Sequence, residues 1–184
     1  YYIWWLTVQY NNRNPKIFIL SGKAKSGKNL IADFIEEYYS DKKCIQLSYA
    51  YYLKQYIKKI TTWDGNEQNK PRDLLQSLGI DLVKKIDDKL LIRRVMEDVQ
   101  VYSYFFDVII ITDARLIEEI ETPKSLFNCI TIRINKDDNN LTLEQKKHIT
   151  ETNLDNYRNF DYVINNNDIS ETKNQIISIL KEVA

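Results

Sequence analysis

The chain is poor in the residues that build metal and nucleophile sites. His148 is the one histidine among 184 residues, and Cys44 and Cys129 are the two cysteines. No His/Cys cluster exists for a transition metal, and no Ser-His-Asp set can be assembled. The cysteines lie far apart, each among apolar neighbours, and read as reduced core residues. Net charge is missing too, since 26 basic side chains balance 26 acidic ones. A general nucleic-acid binder carries a basic excess, so nucleic acid is not an expected partner; a small anionic substrate needs only a few placed cations.

Apolar runs of the roughly 20 residues needed to span a bilayer are also lacking, so no membrane partner is expected. The aromatic stretch YYIWWLTVQY at residues 1–10 has neither a basic leading region nor a small-residue cleavage site. With so few cysteines, the expected address is cytoplasmic. Trp4 and Trp5 are suited to packing on the domain or on a partner chain, which leaves room for a homodimer.

What is present is α/β patterning in a length that suits one compact domain. Residues 1–15 read as an N-terminal extension, closed by the turn-rich break Asn11 to Pro15, and residues 16–184 as a single domain. Short apolar runs at 16–20, 44–47, 108–111, 130–134 and 162–164 read as buried strands. Helical spacing appears over 30–38, 49–60, 88–104 and 169–183, and Pro71 suits a helix start. After Pro71 a stripe of Leu74, Leu75, Leu78, Leu82 and Ile86 is expected in the core, since it is too short for a zipper. Residues 135–161 are polar. Strands alternating with helices predict an α/β domain with a mostly parallel sheet.

Only four glycines occur, and two of them carry the main motif. Gly22, Gly27 and Lys28 in GKAKSGKN stand in the spacing G-x-x-x-x-G-K, between an expected strand and an expected helix. The residue types follow from the chemistry. Glycines let backbone N–H groups wrap close to phosphate oxygens, and the helix N-terminus adds a favourable dipole. Lys28 then reaches the β- and γ-phosphates. The hydroxyl that usually follows the lysine and helps hold Mg²⁺ is replaced by Asn29, so metal binding must lean on another oxygen donor. Ser26, inside the loop, is a candidate phosphate contact.

Asp113 is the expected second donor. It closes the β-branched run DVIIITD at the carboxyl end of a strand, where open α/β sheets place their ligands. A competing reading makes it the N-cap of the helix that follows. Arg115, two residues on, can present its planar fork to a phosphate. Arg72, near a helix start, is a candidate for the acceptor side, whereas Arg93 and Arg94 suit either that side or a solvated face.

These segments together (ILSGKAKSGKNLIADFI, LSYAYYLKQYI, KPRDLLQSLGIDLVKK, VIIITDARLIEEI and HITETNLDNYRNFDYVINN) resemble the deoxynucleoside monophosphate kinase family over most of residues 16–182. Animal-type phosphomevalonate kinase is similar around SGKAKSGKN and LDNYRNFDYVINN. The resemblance implies a three-layer α/β/α P-loop NTPase fold with a helical acceptor-binding insertion at about 50–105 and a lid at about 135–155. It also implies ATP and Mg²⁺ as cofactors and a small-molecule monophosphate as acceptor. On that plan Gly22, Lys25, Ser26, Gly27, Lys28 and Asn29 bind ATP phosphates, and Asn165 lies near the adenine. Lys54, Arg72, Gln76 and Arg115 face the acceptor; Asn29 and Asp113 hold the metal. Lys28, Asp113 and Arg115 form the catalytic set. Two departures stand out: the Tyr51-Tyr52 pair replaces an acidic residue before Leu53-Lys54, and the lid carries no Arg between Asn135 and Tyr157. Closure would then draw on Arg133, Lys136, Lys146 or Lys147.

A monophosphate acceptor is already an anion, so no strong general base is needed and the lack of a catalytic histidine is no obstacle. Three functions are expected in order: an ATP-dependent kinase of a (deoxy)nucleoside monophosphate, a kinase of another small phosphate ester such as phosphomevalonate, and a nucleotide-binding module without turnover.

Overall fold

The computed structural model describes residues 11–136 and 149–184. The aromatic stretch 1–10 and most of the expected lid, including Lys146, Lys147 and His148, lie outside these residues. Five parallel strands form one sheet in the order β2-β3-β1-β4-β5: β1 Lys16–Ser21, β2 Cys44–Leu47, β3 Val108–Ala114, β4 Cys129–Asn135 and β5 Tyr162–Asn165. The inner strands β1 and β3 read as unbroken apolar runs because helices cover both faces of the sheet. Phe18, Ile19, Leu20, Ile109, Ile110 and Ile111 are fully buried.

Helix α1 (Lys28–Tyr38) and the C-terminal helix α8 (Ile169–Glu182) pack on one face. There Ile31, Ile35, Ile176 and Leu180 meet Phe18, Leu20 and Ile132. On the opposite face lie α5 (Leu90–Tyr102) and α6 (Glu118–Leu126), where Ile92, Val95, Met96, Val99 and Ile120 close over Ile17, Ile19, Ile109 and Ile111. The result is a three-layer α/β/α domain. Helix α7 (Ile149–Thr152) lies in the connection to β5.

A smaller core stands apart, between β2 and α5. Helices α2 (Ala50–Ile60) and α3 (Arg72–Ser77), a π-helical segment Leu78–Val83 and the short α4 (Lys84–Ile86) enclose Leu53, Ile57, Trp63, Leu75 and Val83. The apolar stripe expected to be buried here is only partly so. Leu75 is 9% exposed, but Leu74 is 41%, Leu82 52% and Ile86 70% exposed. The π-helical segment accounts for Leu82 and Ile86, because i→i+5 bonding widens the turn and carries a 3.6-residue stripe off the buried face; Leu74 precedes it, on the exposed side of α3. Trp63 supplies the missing apolar bulk from the loop before α3; its indole N–H donates to the Asn66 carbonyl at 3.0 Å. Gly79 brings the π-helical segment against α2, where an added Cβ would stand 3.0 Å from the Leu53 Cδ1.

The expected strands and helices otherwise form close to their predicted limits. Cys44 and Cys129 are free thiols, half-buried rather than fully in the core. No helix among the described residues is long and apolar enough to cross a membrane.

Candidate active site

The loop between β1 and α1 depends on backbone shapes that the sequence supplies locally. Lys25 has φ 62° and Gly27 φ 96°, both left-handed, and they turn successive peptide groups inward ahead of the first helical turn. Gly27 also touches the Asn166 side-chain amide so closely that any Cβ would overlap it. At Gly22 a Cβ would come within 2.6 Å of the Ile134 carbonyl oxygen. Lys28 folds back across the loop, its ammonium donating to the carbonyls of Gly22 and Lys23, each at 2.8 Å, with the residue 8% exposed. This posture aligns the charge with the loop axis at the start of α1, where the helix dipole also favours an anion.

Ser26, the candidate phosphate contact inside the loop, is 1% exposed. Its hydroxyl is buried against Gly22 without a hydrogen-bond partner, and its carbonyl accepts from Asn166 Nδ2 at 2.8 Å. Asn166 is itself buried, with its Oδ1 accepting from Thr172 Oγ1 at 3.1 Å. The neighbouring Asn165, expected near the adenine, is exposed at the end of β5 and outside the main cleft. Asn166 is the residue that sequence reasoning missed. The run of three asparagines at 165–167 marks the place, but only the pairing of β5 with β4 shows which one faces the loop.

At the carboxyl end of β3, Asp113 accepts from the backbone N–H of Tyr49 at 2.7 Å through Oδ1 and of Ala50 at 3.0 Å through Oδ2. It therefore caps α2, an element distant in sequence, rather than the helix that follows it. The turn after Asp113 is held instead by Glu119, whose Oε2 accepts from the N–H of Arg115 at 2.7 Å and of Leu116 at 3.0 Å. Burial, and then the Asp113 charge, push the Glu119 carboxyl up to about 8 against these backbone bonds, which act in the opposite direction.

A cleft of about 700 Å³ opens over the carboxyl ends of the strands, the position expected for ligands in an open α/β sheet. Lys25, Gly27, Lys28 and Asn29 line one end with Asp113 and Arg115, and Lys54, Arg72 and Gln76 line the side formed by α2 and α3. Most of the expected site residues are thus brought together; Gly22, Ser26 and Asn165 are not among the lining residues. Arg93 and Arg94 lie elsewhere, on a solvated face, where Arg93 pairs with Asp87 at 2.6 Å.

Two backbone N–H groups engage Asp113, one on each oxygen, and each oxygen keeps a further lone pair. Among the described residues no group of three His, Cys, Asp or Glu side chains is assembled around a cation position. The open lone pairs of Asp113 suit Mg²⁺, which takes one or two protein oxygens and keeps water and phosphate oxygens for the rest. Asn29 and Asp113, on the same cleft, fit this pattern.

Beyond the lysine loop, Arg133 at the end of β4 donates to Ser21 Oγ at 3.1 Å and stands 3.7 Å from Asp155, which also pairs with Lys23 at 3.1 Å. The residues after α7 are thereby tied to the P-loop.

The family model described as deoxynucleotide monophosphate kinase matches residues 41–176. That span includes Lys54, Arg72, Gln76, Asp113 and Arg115 and begins after the P-loop. No curated protein sequence matches the chain. Among solved structures, a gluconokinase from Sinorhizobium meliloti superposes with a TM-score of 0.53 at 13% identity, over 94% of this chain and 95% of that one. Shikimate kinase from Aquifex aeolicus gives 0.51 at 14% identity, over 90% and 96%. APS kinase from Mycobacterium tuberculosis, solved with AMPPNP and APS, gives 0.51 at 13%, over 91% and 98%. At such identities the likeness is one of fold.

Proposed function

We propose, from the premise that this chain belongs to the deoxynucleotide monophosphate kinase family and is a P-loop kinase, that it transfers the γ-phosphoryl group of ATP to a deoxynucleoside monophosphate. One observation carries the reading: a single cleft holds the P-loop end, with Lys28, Asn29, Asp113 and Arg115, and a wall where Gln76 joins the cations Lys54 and Arg72. A donor and an acceptor phosphate need such a pair of facing anion sites, whereas a hydrolase needs only the first.

In this reading Lys28 and the N–H groups of Lys25 to Asn29 bind the ATP phosphates. Arg115 and Lys28 spread positive charge over the oxygens of the transferring group, and Arg72, Lys54 and Gln76 orient the acceptor in line. The acceptor oxygen is already an anion, so the chain supplies no base. Mg²⁺, held by Asn29 and Asp113, would neutralise charge on the β- and γ-phosphates. Asp113 also caps α2, the helix that carries Lys54 in the acceptor wall.

A second acceptor class is favoured by a separate feature. Among the described residues lining the cleft, Tyr49 is the one aromatic, and it is 2% exposed with its hydroxyl donating to the Glu119 carbonyl. The acceptor wall is instead aliphatic, with Leu53, Leu75, Ile80 and Val83, which suits an aliphatic phosphate ester such as phosphomevalonate. A coupled assay of ADP release across deoxynucleoside monophosphates and phosphomevalonate decides between them. Acceptor-dependent ADP with at least one deoxynucleoside monophosphate is the expected result. Its absence with every acceptor would sink both kinase readings and leave a nucleotide-binding module.

A further inference from the structure

Four charged residues on the acceptor wall form an unbalanced group. Lys70 Nζ stands 2.7 Å from Glu67 Oε1, and Arg72 Nη2 stands 3.7 Å from Glu67 Oε2. Lys54 is close enough to act electrostatically on both Glu67 and Lys70. All four line the cleft. Two cations therefore contact one carboxylate with a third acting on it through space, and Lys70 is more enclosed than Arg72, its side chain 16% exposed against 45%.

Such a group is held at a cost. Burial lowers the Lys70 pKa, and the charges of Lys54 and Arg72 lower it further, against the pull of Glu67. Burial raises the Glu67 carboxyl, but the Lys70 hydrogen bond and the three cations outweigh it and leave it below its ordinary range. Glu67 reaches the group from the loop before α3, with a side chain 65% exposed. Its two oxygens engage two different cations, as two oxygens of a phosphate would. Core packing requires none of this, since the apolar cluster beneath is closed by Leu53, Trp63 and Leu75.

We propose that Lys54, Lys70 and Arg72 form a phosphate-monoester site on the acceptor wall, and that Glu67 is its built-in competitor, a carboxylate seated on Lys70 and Arg72 that an incoming phosphate displaces. This deepens the kinase reading by adding Lys70 and Glu67 to the acceptor side, and it rests on that reading for the direction of transfer. Exchange of one anion for another keeps Lys70 and Arg72 paired with an anion throughout. It favours a dianionic monoester over a monoanion or a bare nucleoside, because only the dianion outmatches the tethered carboxylate.

The test is calorimetric titration of inorganic phosphate, dTMP and thymidine into the full chain at low salt with AMPPNP and Mg²⁺ present, for wild type, Lys70→Met, Lys70→Arg and Glu67→Gln. Lys70→Met is expected to weaken phosphate or dTMP binding about tenfold or more, and Lys70→Arg to retain most of it. Glu67→Gln is expected to tighten binding several-fold by removing the competitor. Thymidine should respond to neither change. Binding that ignores Lys70→Met, or no phosphate or dTMP binding in the wild type, would overturn the site. Weakening by Glu67→Gln would overturn the competitor and make Glu67 a brace for the cations. Should Lys70→Met not fold, the Lys70→Arg and Glu67→Gln titrations still decide. Because the titration needs no turnover, Lys70-dependent binding without ADP release would remove the kinase reading and keep the site.

Discussion

Asn166 donates its side-chain amide to the carbonyl oxygen of Ser26 at 2.8 Å, so the loop after the last strand holds the phosphate loop in shape. The same amide lies where any Cβ on Gly27 would fall. The glycine is needed twice, once for its left-handed backbone and once to let a buried asparagine approach.

Asn166→Ala should therefore loosen the loop. Removing the amide leaves the buried Ser26 carbonyl short of a partner, at about 1–3 kcal/mol of stability, while the Thr172 hydroxyl keeps the Asp168 carbonyl at 2.6 Å. The KM for ATP is expected to rise with little change in the KM for the acceptor. Urea unfolding and steady-state kinetics measure the two effects, and an unchanged KM for ATP would detach Asn166 from the loop's function.

Lys28→Ala should abolish turnover while the fold persists. The ammonium donates to two loop carbonyls, a polar contact whose loss costs the apolar core little. A fall in kcat on the order of 10²-fold or more is expected, with a circular-dichroism spectrum like that of the wild type. Retained activity would refute the role given to the loop.

Asp113→Asn keeps one oxygen to accept from Tyr49 or Ala50 but not both, and loses the charge. A stability loss of about 1–2 kcal/mol is expected from the unpaired N–H group. If Asp113 also serves the metal, the Mg²⁺ concentration for half-maximal rate should rise several-fold. A drop in stability with an unaltered Mg²⁺ response would leave it as the cap of α2 alone.

Glu119 predicts a pH effect. Its carboxyl sits at about 8 in the folded chain, raised by burial and by Asp113 from an ordinary value of 4.5. The folded state therefore holds this proton more tightly than the unfolded state, and stability falls as pH rises from about 4.5 toward 8. The slope can reach about 1.4 kcal/mol per pH unit from this one group. Glu119→Gln preserves an oxygen for the Arg115 and Leu116 N–H groups and removes the ionisation, so its unfolding free energy should be flatter over that window. Denaturant titrations at pH 5, 6.5 and 8 compare the two proteins; equal slopes would remove Glu119 as the source.

Much of the architecture was legible in the residue order because its causes are local. A β-branched run such as Val108 to Ile111 makes a doubly covered strand wherever it lies, and the spacing of Gly22, Gly27 and Lys28 between a strand and a helix specifies a phosphate loop through backbone geometry alone. The apolar faces of α1 and α5 follow from 3.6-residue spacing. The leucine stripe after Pro71 was legible only in part, since the same spacing loses its face once the chain enters a π-helical turn between Leu78 and Val83.

The partnerships across the fold were decided by packing. Residue order marked Asp113 as important, yet only the adjacency of β2 and β3 brings the start of α2 to its carboxylate, 63 and 64 positions away in the chain. Asn166 and Ser26 are separated by 140 positions, and nothing in either neighbourhood signals the other. Glu67, Lys70 and Arg72 are near in sequence, but their convergence with Lys54 depends on how α2 and α3 meet over Trp63. Local chemistry thus pointed to phosphate and to the segment between β1 and α1. Which side chains share the cleft, and which merely hold its walls, depended on contacts between distant segments that no short-range pattern encodes.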